Sequence, residues 1–173
     1  RSEWLYRLWS NGQLDLSITV EVAEGVPPLP RVGLSFALRD RSEQVSWFGR
    51  GPHENYPDRR LSADMGRYTL PVGQLHTPYI FPSENGLRCD TRALDLGRLR
   101  VSGHFHFGVS PYSQTSLAKA RHQHELVSED GLDVHLDGFH MGVGGDDSWS
   151  PSVYERYRLQ HRRYCYQMRL RSC

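Results

Sequence analysis

Five carboxylates fall in stretches that lack strand or helix periodicity: Glu54, Asp58, Glu84, Asp146 and Asp147. Two carboxyl groups held about 5–5.5 Å apart, or ~6.5–9.5 Å apart, can break a glycosidic bond with retention or inversion. Asp146 and Asp147 are sequence neighbours, so on extended backbone they point to opposite faces and do not make such a pair. The loop acids are expected instead to cap loop amides or to pair with Arg50, Arg59, Arg88 and Arg92 nearby in sequence. His104 with His106, and His122 with His124, have the alternate spacing of metal ligands, but neither pair brings a third ligand at a recognisable spacing. In a strand, His104 and His106 share the face opposite Phe105 and Phe107 and are expected to face solvent. No G-x-S-x-G motif is present, and the GVGG run at 142–145 lacks the Lys-Ser/Thr ending of a phosphate loop. The sequence therefore offers no catalytic residue and no metal site.

What remains is Trp149, set among glycine, aspartate, serine and proline in DGFHMGVGGDDSWSPSV, residues 137–153. A tryptophan carries ~150–250 Å² of largely apolar surface, so its position in a polar turn calls for a reason. The indole either folds back as a lid on the core or stands as a flat platform for a ligand with an apolar face and a polar rim, which describes a sugar ring. Composition leaves both open.

The elements that must position these residues alternate with period two. Leu14, Leu16, Ile18, Val20 and Val22 share one face of QLDLSITVEV; Val32, Leu34, Phe36 and Leu38 do the same in RVGLSFALRD. Val101, Gly103, Phe105, Phe107 and Val109 alternate further on, as do Leu132, Val134 and Leu136. The arginine-rich stretch 154–172 reads as a strand pair in which Tyr164, Tyr166, Met168 and Leu170 alternate with Arg163, Cys165, Gln167, Arg169 and Arg171. One short helix is expected in SQTSLAKARHQHEL, with Ser113 as its N-cap and Leu117, Ala120 and His124 at helical spacing. Residues 47–68 and 76–92 resist periodic reading and are expected to be long structured loops. The pattern is that of an all-β antiparallel sandwich with one short helix, a single domain over residues 1–173.

Bulk properties narrow the partners. A formal net charge of +1 gives no field for polyanions, and the arginines of 154–172 fit a solvated sheet face, so neither nucleic acid nor membrane is expected as a partner. Three cysteines without CxxC spacing argue against a disulfide framework and for a reducing, cytoplasmic setting. The Arg-Ser-Glu start suggests a piece of a longer polypeptide.

The runs GRGPHENYPDR (49–59), TPYIFPSENGLRCDTR (77–92) and DGFHMGVGGDDSWSPSV (137–153) closely resemble the C-terminal region of the large cytoplasmic bacterial β-galactosidases of the lactose-operon type. The resemblance covers nearly the whole chain. It implies a supersandwich related in fold to galactose mutarotase, forming the last domain of a multi-domain homo-oligomer that hydrolyses terminal β-D-galactosides such as lactose. It places the catalytic glutamates, magnesium and sodium of the parent enzyme in segments that this chain does not contain, so no cofactor is expected here. It also maps the tryptophan that lines the aglycone part of the pocket onto Trp149, as a substrate-binding residue for a galactoside or glucose-type sugar. The family domain extends further toward the N-terminus, so an exposed sheet edge or apolar face is expected, covered by the remaining domains of the parent enzyme or by another copy. A free-standing carbohydrate-binding module, a subunit-assembly module and a mutarotase-like enzyme with a Glu and a His converging in a cleft stand as rival readings.

Overall fold

The computed structural model describes residues 1–39, 42–144 and 152–172. Its nine strands are β1 (Ser2–Leu8), β2 (Gln13–Glu21), β3 (Arg31–Leu38), β4 (Gln44–Gly51), β5 (Asp64–Pro71), β6 (Arg88–Asp95), β7 (Leu99–Ser110), β8 (Leu132–His140) and β9 (Arg163–Ser172), with one helix, α1 (Gln114–Lys119). All pairings are antiparallel and join one sheet in the order β1-β2-β9-β7-β6-β4-β5, from which β8 and then β3 branch off β7. The branching follows from the length of β7. Leu99–Gly103 pair with β9 and His106–Ser110 pair with β8, while the opposite edge of β7 pairs with β6. The all-β class with one short helix holds, and the architecture is consistent with a β-sandwich.

The alternating residues build the core as the period-two pattern requires. Leu16, Ile18, Val32, Val101, Phe105, Phe107, Val109, Leu132, Val134, Leu136, Tyr164, Tyr166 and Met168 join one buried cluster with Val45 and Trp47. Burying such side chains stabilises by about 1.5–3 kcal/mol each, which is what lets the sheet curve around them. Phe139 packs edge-on against Tyr164 with ring centroids 5.1 Å apart, and Trp47 against Phe107 at 5.6 Å.

Several elements differ from the sequence expectation or form no part of it. Residues 154–172 hold one strand rather than two; the first half forms a 3₁₀ turn at Glu155–Tyr157, and Leu159 bridges Leu29. Residues 64–68 belong to β5, residues 88–92 to β6 and residues 47–51 to β4, not to loops. Gly49 and Gly51 masked β4: a Cβ at Gly49 would stand 2.8 Å from Thr91 Cα, and one at Gly51 would stand 2.8 Å from the Trp47 ring, so glycine serves close packing here rather than a turn. Helix α1 begins where expected, with Ser113 Oγ accepting from Ser116 N at 3.2 Å, but it stops at Lys119 and leaves His124 on a separate 3₁₀ turn, Gln123–Glu125. Strand β1 carries Trp4, Tyr6 and Leu8 opposite Ile18, Leu16 and Leu14 of β2. It extends the core face of the sheet, yet all seven of its residues are exposed.

Candidate functional site

Three loops converge at one end of the sheet: residues 52–63 between β4 and β5, residues 75–87 ahead of β6, and residues 141–144 after β8. Loops this polar need their amides satisfied from within. Arg88, 2% exposed, does much of this by donating to Leu75 O and Gly86 O at 2.8 Å and to Pro52 O at 3.2 Å, its guanidinium lying 5.8 Å above the Trp47 ring. Burial pulls its pKa down to about 10, so it remains a cation at neutral pH. The sequence paired Arg88 with a carboxylate; instead it clamps carbonyls, because a register shift between Arg88 and Thr91 re-aims its side chain. Asn55 completes the joint, accepting from Cys89 N and donating to His53 O, both at 2.9 Å.

Of the loop carboxylates, Glu54 and Asp58 take the arginine-pairing and amide-capping roles expected of them, whereas Glu84 pairs with Arg31, distant in sequence, and not with one of the arginines nearby. Glu54 accepts from Arg59, from the Tyr79 hydroxyl and from Gly86 N at 2.6 Å. Glu84 accepts from Arg31 and, at 3.4 Å, from the Tyr56 hydroxyl, and its Oε1 lies 3.7 Å from His140 Nε2. Burial alone would push the Glu84 carboxyl up, but His140 and Arg31 outweigh it and hold it below the ordinary carboxylate value. A carboxylate held ionised in this way is a poor proton donor, and Glu54 has its lone pairs occupied. Asp58 accepts from Val143 N at 3.2 Å and Gly144 N at 2.7 Å, fastening the start of the third loop. Gly142 is tied to that contact, since a Cβ there would fall 2.5 Å from Asp58 Oδ2.

Between these loops lies a cleft of about 470 Å³ walled by Tyr56, Arg59, Tyr79, Glu84, His140 and Val143. Burial, with Glu84 and Glu54 beside it, drives the Tyr56 hydroxyl far above its usual pKa, so it stays a donor. His140 Nδ1 bonds Met141 O at 2.7 Å, while Nε2 has no hydrogen-bond partner among the described residues. The cleft thus joins two tyrosines, of which Tyr56 is almost fully buried, with a few donors and acceptors and, among the described residues, no group placed to transfer a proton. A larger groove, about 550 Å³, lies by β1; of the three charged residues that line it, Asp15 and Arg169 bond each other and Arg7 lies over the Trp9 ring.

Trp149 itself, with Asp146, Asp147, Ser148 and Ser150, lies outside the described residues. The described chain leaves at Gly144, on the cleft rim, and resumes at Ser152, with Val153 lining the same cleft. The expectation that His104 and His106 both face solvent is corrected. His106 Nδ1 accepts from Asp90 N at 3.2 Å, and burial pushes its pKa down to about 4. The expectation that His122 and His124 lack a carboxylate is corrected as well, because Glu125 folds back beside them. Tyr56, Tyr79 and His140 were missed as cleft residues, although all three lie in the runs quoted above, within ENYPDR, TPYIF and DGFHM. The polar side of β8 was also missed: His135 and Asp137 are buried and bond each other at 2.9 Å, with Arg31 Nη1 3.9 Å from Asp137.

Comparison with known proteins gives this loop-rimmed sheet a family. Residues 1–170 match the family described as β-galactosidase small chain. The chain is 57% identical over 171 residues to a β-galactosidase of Vibrio cholerae, covering 99% of this chain and 17% of that protein. It is 54% identical over 171 residues to one of Klebsiella pneumoniae, covering 99% of this chain and 16% of that protein. A β-galactosidase of Aeromonas hydrophila is 55% identical over 163 residues, 92% of this chain and 16% of its own length. The chain thus spans about a sixth of the relatives it matches, and with a match running through every strand and all three loops it belongs to the β-galactosidase small-chain family.

Proposed function

We propose that this chain is the C-terminal sandwich domain of a β-galactosidase, related in fold to galactose mutarotase, and that it completes the sugar pocket with Trp149 without supplying the catalytic carboxylates. The observation that carries this reading is the anchored loop start. Asp58 holds the Val143 and Gly144 amides at the rim of an aromatic-walled cleft, so the segment bearing Trp149 begins and ends beside that cleft. Trp149 stacks on the aglycone, the glucose of lactose or an alcohol in its place. The paired state of Glu54 and Glu84 supports a binding role over hydrolysis by this chain alone. It also weighs against the mutarotase-like rival, although Glu84 and His140 do meet in the cleft.

The remaining domains of a longer enzyme, or another copy in a homo-oligomer, cover β1, whose exposed Trp4, Leu5, Tyr6 and Leu8 support a buried partner surface. The magnesium and sodium of such enzymes belong to those other segments. A cytoplasmic setting is part of the proposal, supported by the free thiols of Cys89 and Cys165; no helix is long and apolar enough to cross a membrane.

Grafting this chain in place of the matching 171 residues of the Vibrio cholerae relative tests the reading. Trp149→Ala is expected to weaken glucose as a galactosyl acceptor about tenfold, equivalent to ~1.4 kcal/mol. Turnover of an activated aryl galactoside changes little, because uniform binding lowers KM more than it speeds chemistry. Equal acceptor affinities in the graft and its variant would refute the platform.

A further inference from the structure

We propose that His122, His124 and Glu125 form a surface site for a divalent cation of the Zn²⁺, Co²⁺ or Ni²⁺ kind. One ligand atom from each lies within 4.8 Å of the other two, and this is the one such three-residue group among the described residues. The turn that bears them is fixed from both sides. Glu125 N bonds His122 O and Leu126 N bonds Gln123 O, each at 3.1 Å, closing the 3₁₀ turn Gln123–Glu125. Gln123 points inward, donating to Tyr79 O and lying 3.2 Å from His76 Nε2, and this throws its two neighbours outward together.

The two imidazoles stack, with ring centroids 5.4 Å apart and planes 17° from parallel. Glu125 Oε2 accepts from Arg121 N at 2.8 Å, which folds the side chain back so that Oε1 sits 3.0 Å from His122 Nδ1. The ligand atoms are therefore gathered before any cation arrives, and closing them onto one needs rotation of the exposed imidazoles out of their stack. Two imidazoles and a carboxylate suit borderline first-row cations; magnesium and calcium take oxygen ligands. Solvent exposure leaves the remaining coordination positions to water, as at a three-ligand zinc site. A cation held here also stiffens the turn whose Gln123 grips the Tyr79 carbonyl, one wall of the cleft.

Titrating the 173-residue chain with Co²⁺, followed by its visible d–d absorption, and with Zn²⁺ by calorimetry tests the site. One cation per chain is expected. His122→Gln and His124→Gln should each weaken it by at least the roughly 10–100-fold that loss of a mere outer-shell partner costs. Glu125→Gln, which keeps an acceptor for Arg121 N, should weaken it as well. All three positions are exposed, so unfolding temperatures in chelator are expected to match the parent. No saturable binding, or binding that survives both histidine substitutions, would overturn the proposal.

Discussion

The loop end of the molecule and its β1 edge invert the usual distribution of polarity. At the loop end a cationic arginine, a glutamate and two asparagines go under cover; at β1 two aromatic rings and two leucines stay in water. The difference is one of partners. Arg88 has three carbonyls and Glu54 has three donors, so their desolvation is matched by directed bonds. Trp4, Tyr6 and Leu8 need only area, and among the described residues they stay largely open to solvent. At these two places a polar group goes under cover where most of its bonds are met, and an apolar one stays out where no surface covers it.

The sharpest way to break that comparison is Arg88→Met. It leaves the carbonyls of Leu75, Gly86 and Pro52 without their donor in a dry site, and about 4 kcal/mol of stability is expected to go, read from the denaturant midpoint. A loss under about 1 kcal/mol would mean that the loops are held by something else. Next in size is the acid limb. His106 has a folded pKa of about 4 against about 6.5 unfolded, so the unfolded chain binds the extra proton first and stability falls as pH drops from about 6.5 to about 4. The expected loss across that window is about 2 kcal/mol, and His106→Gln, which keeps an acceptor for Asp90 N, should flatten the slope there. An unchanged slope would show that His106 is not the sensor. Smallest is Leu8→Thr, 75% exposed at the edge, which should shift the stability of this chain by less than about 0.5 kcal/mol. A loss of 2 kcal/mol would show that β1 is already covered and would end the contrast.

Much of the sheet was legible because a half-buried strand writes its two faces into alternate residues. β2, β3, β7 and β9 show this plainly. β8 shows where the rule stops: Leu132, Val134 and Leu136 marked one face correctly, but His135 and Asp137 are polar and buried, with Arg31 beside Asp137 and Gly108 of β7 close against His135, a cover that only distant chain supplies. β1 carried its own alternation of Trp4, Tyr6 and Leu8 and could have been read from it. For the site, the acid-to-amide role of Asp58 and the acid-to-arginine role of Glu54 followed from residue type and proximity. The meeting of Tyr56, Tyr79 and His140 did not, because it depends on three loops brought together across β4, β6 and β8.

The position of β9 has a consequence for the order of events in folding. It lies between β2 and β7, pairing Gln13 with Arg171 and Glu21 with Arg163, and β2 has no other neighbour but β1. The β1–β2 hairpin closes locally, but its docking on the sheet waits for β9, which lies far along the chain, and such distant pairing is slow. Until then its greasy face is uncovered by β9, a window in which a chaperone, or premature pairing with a sister chain, has its best opportunity.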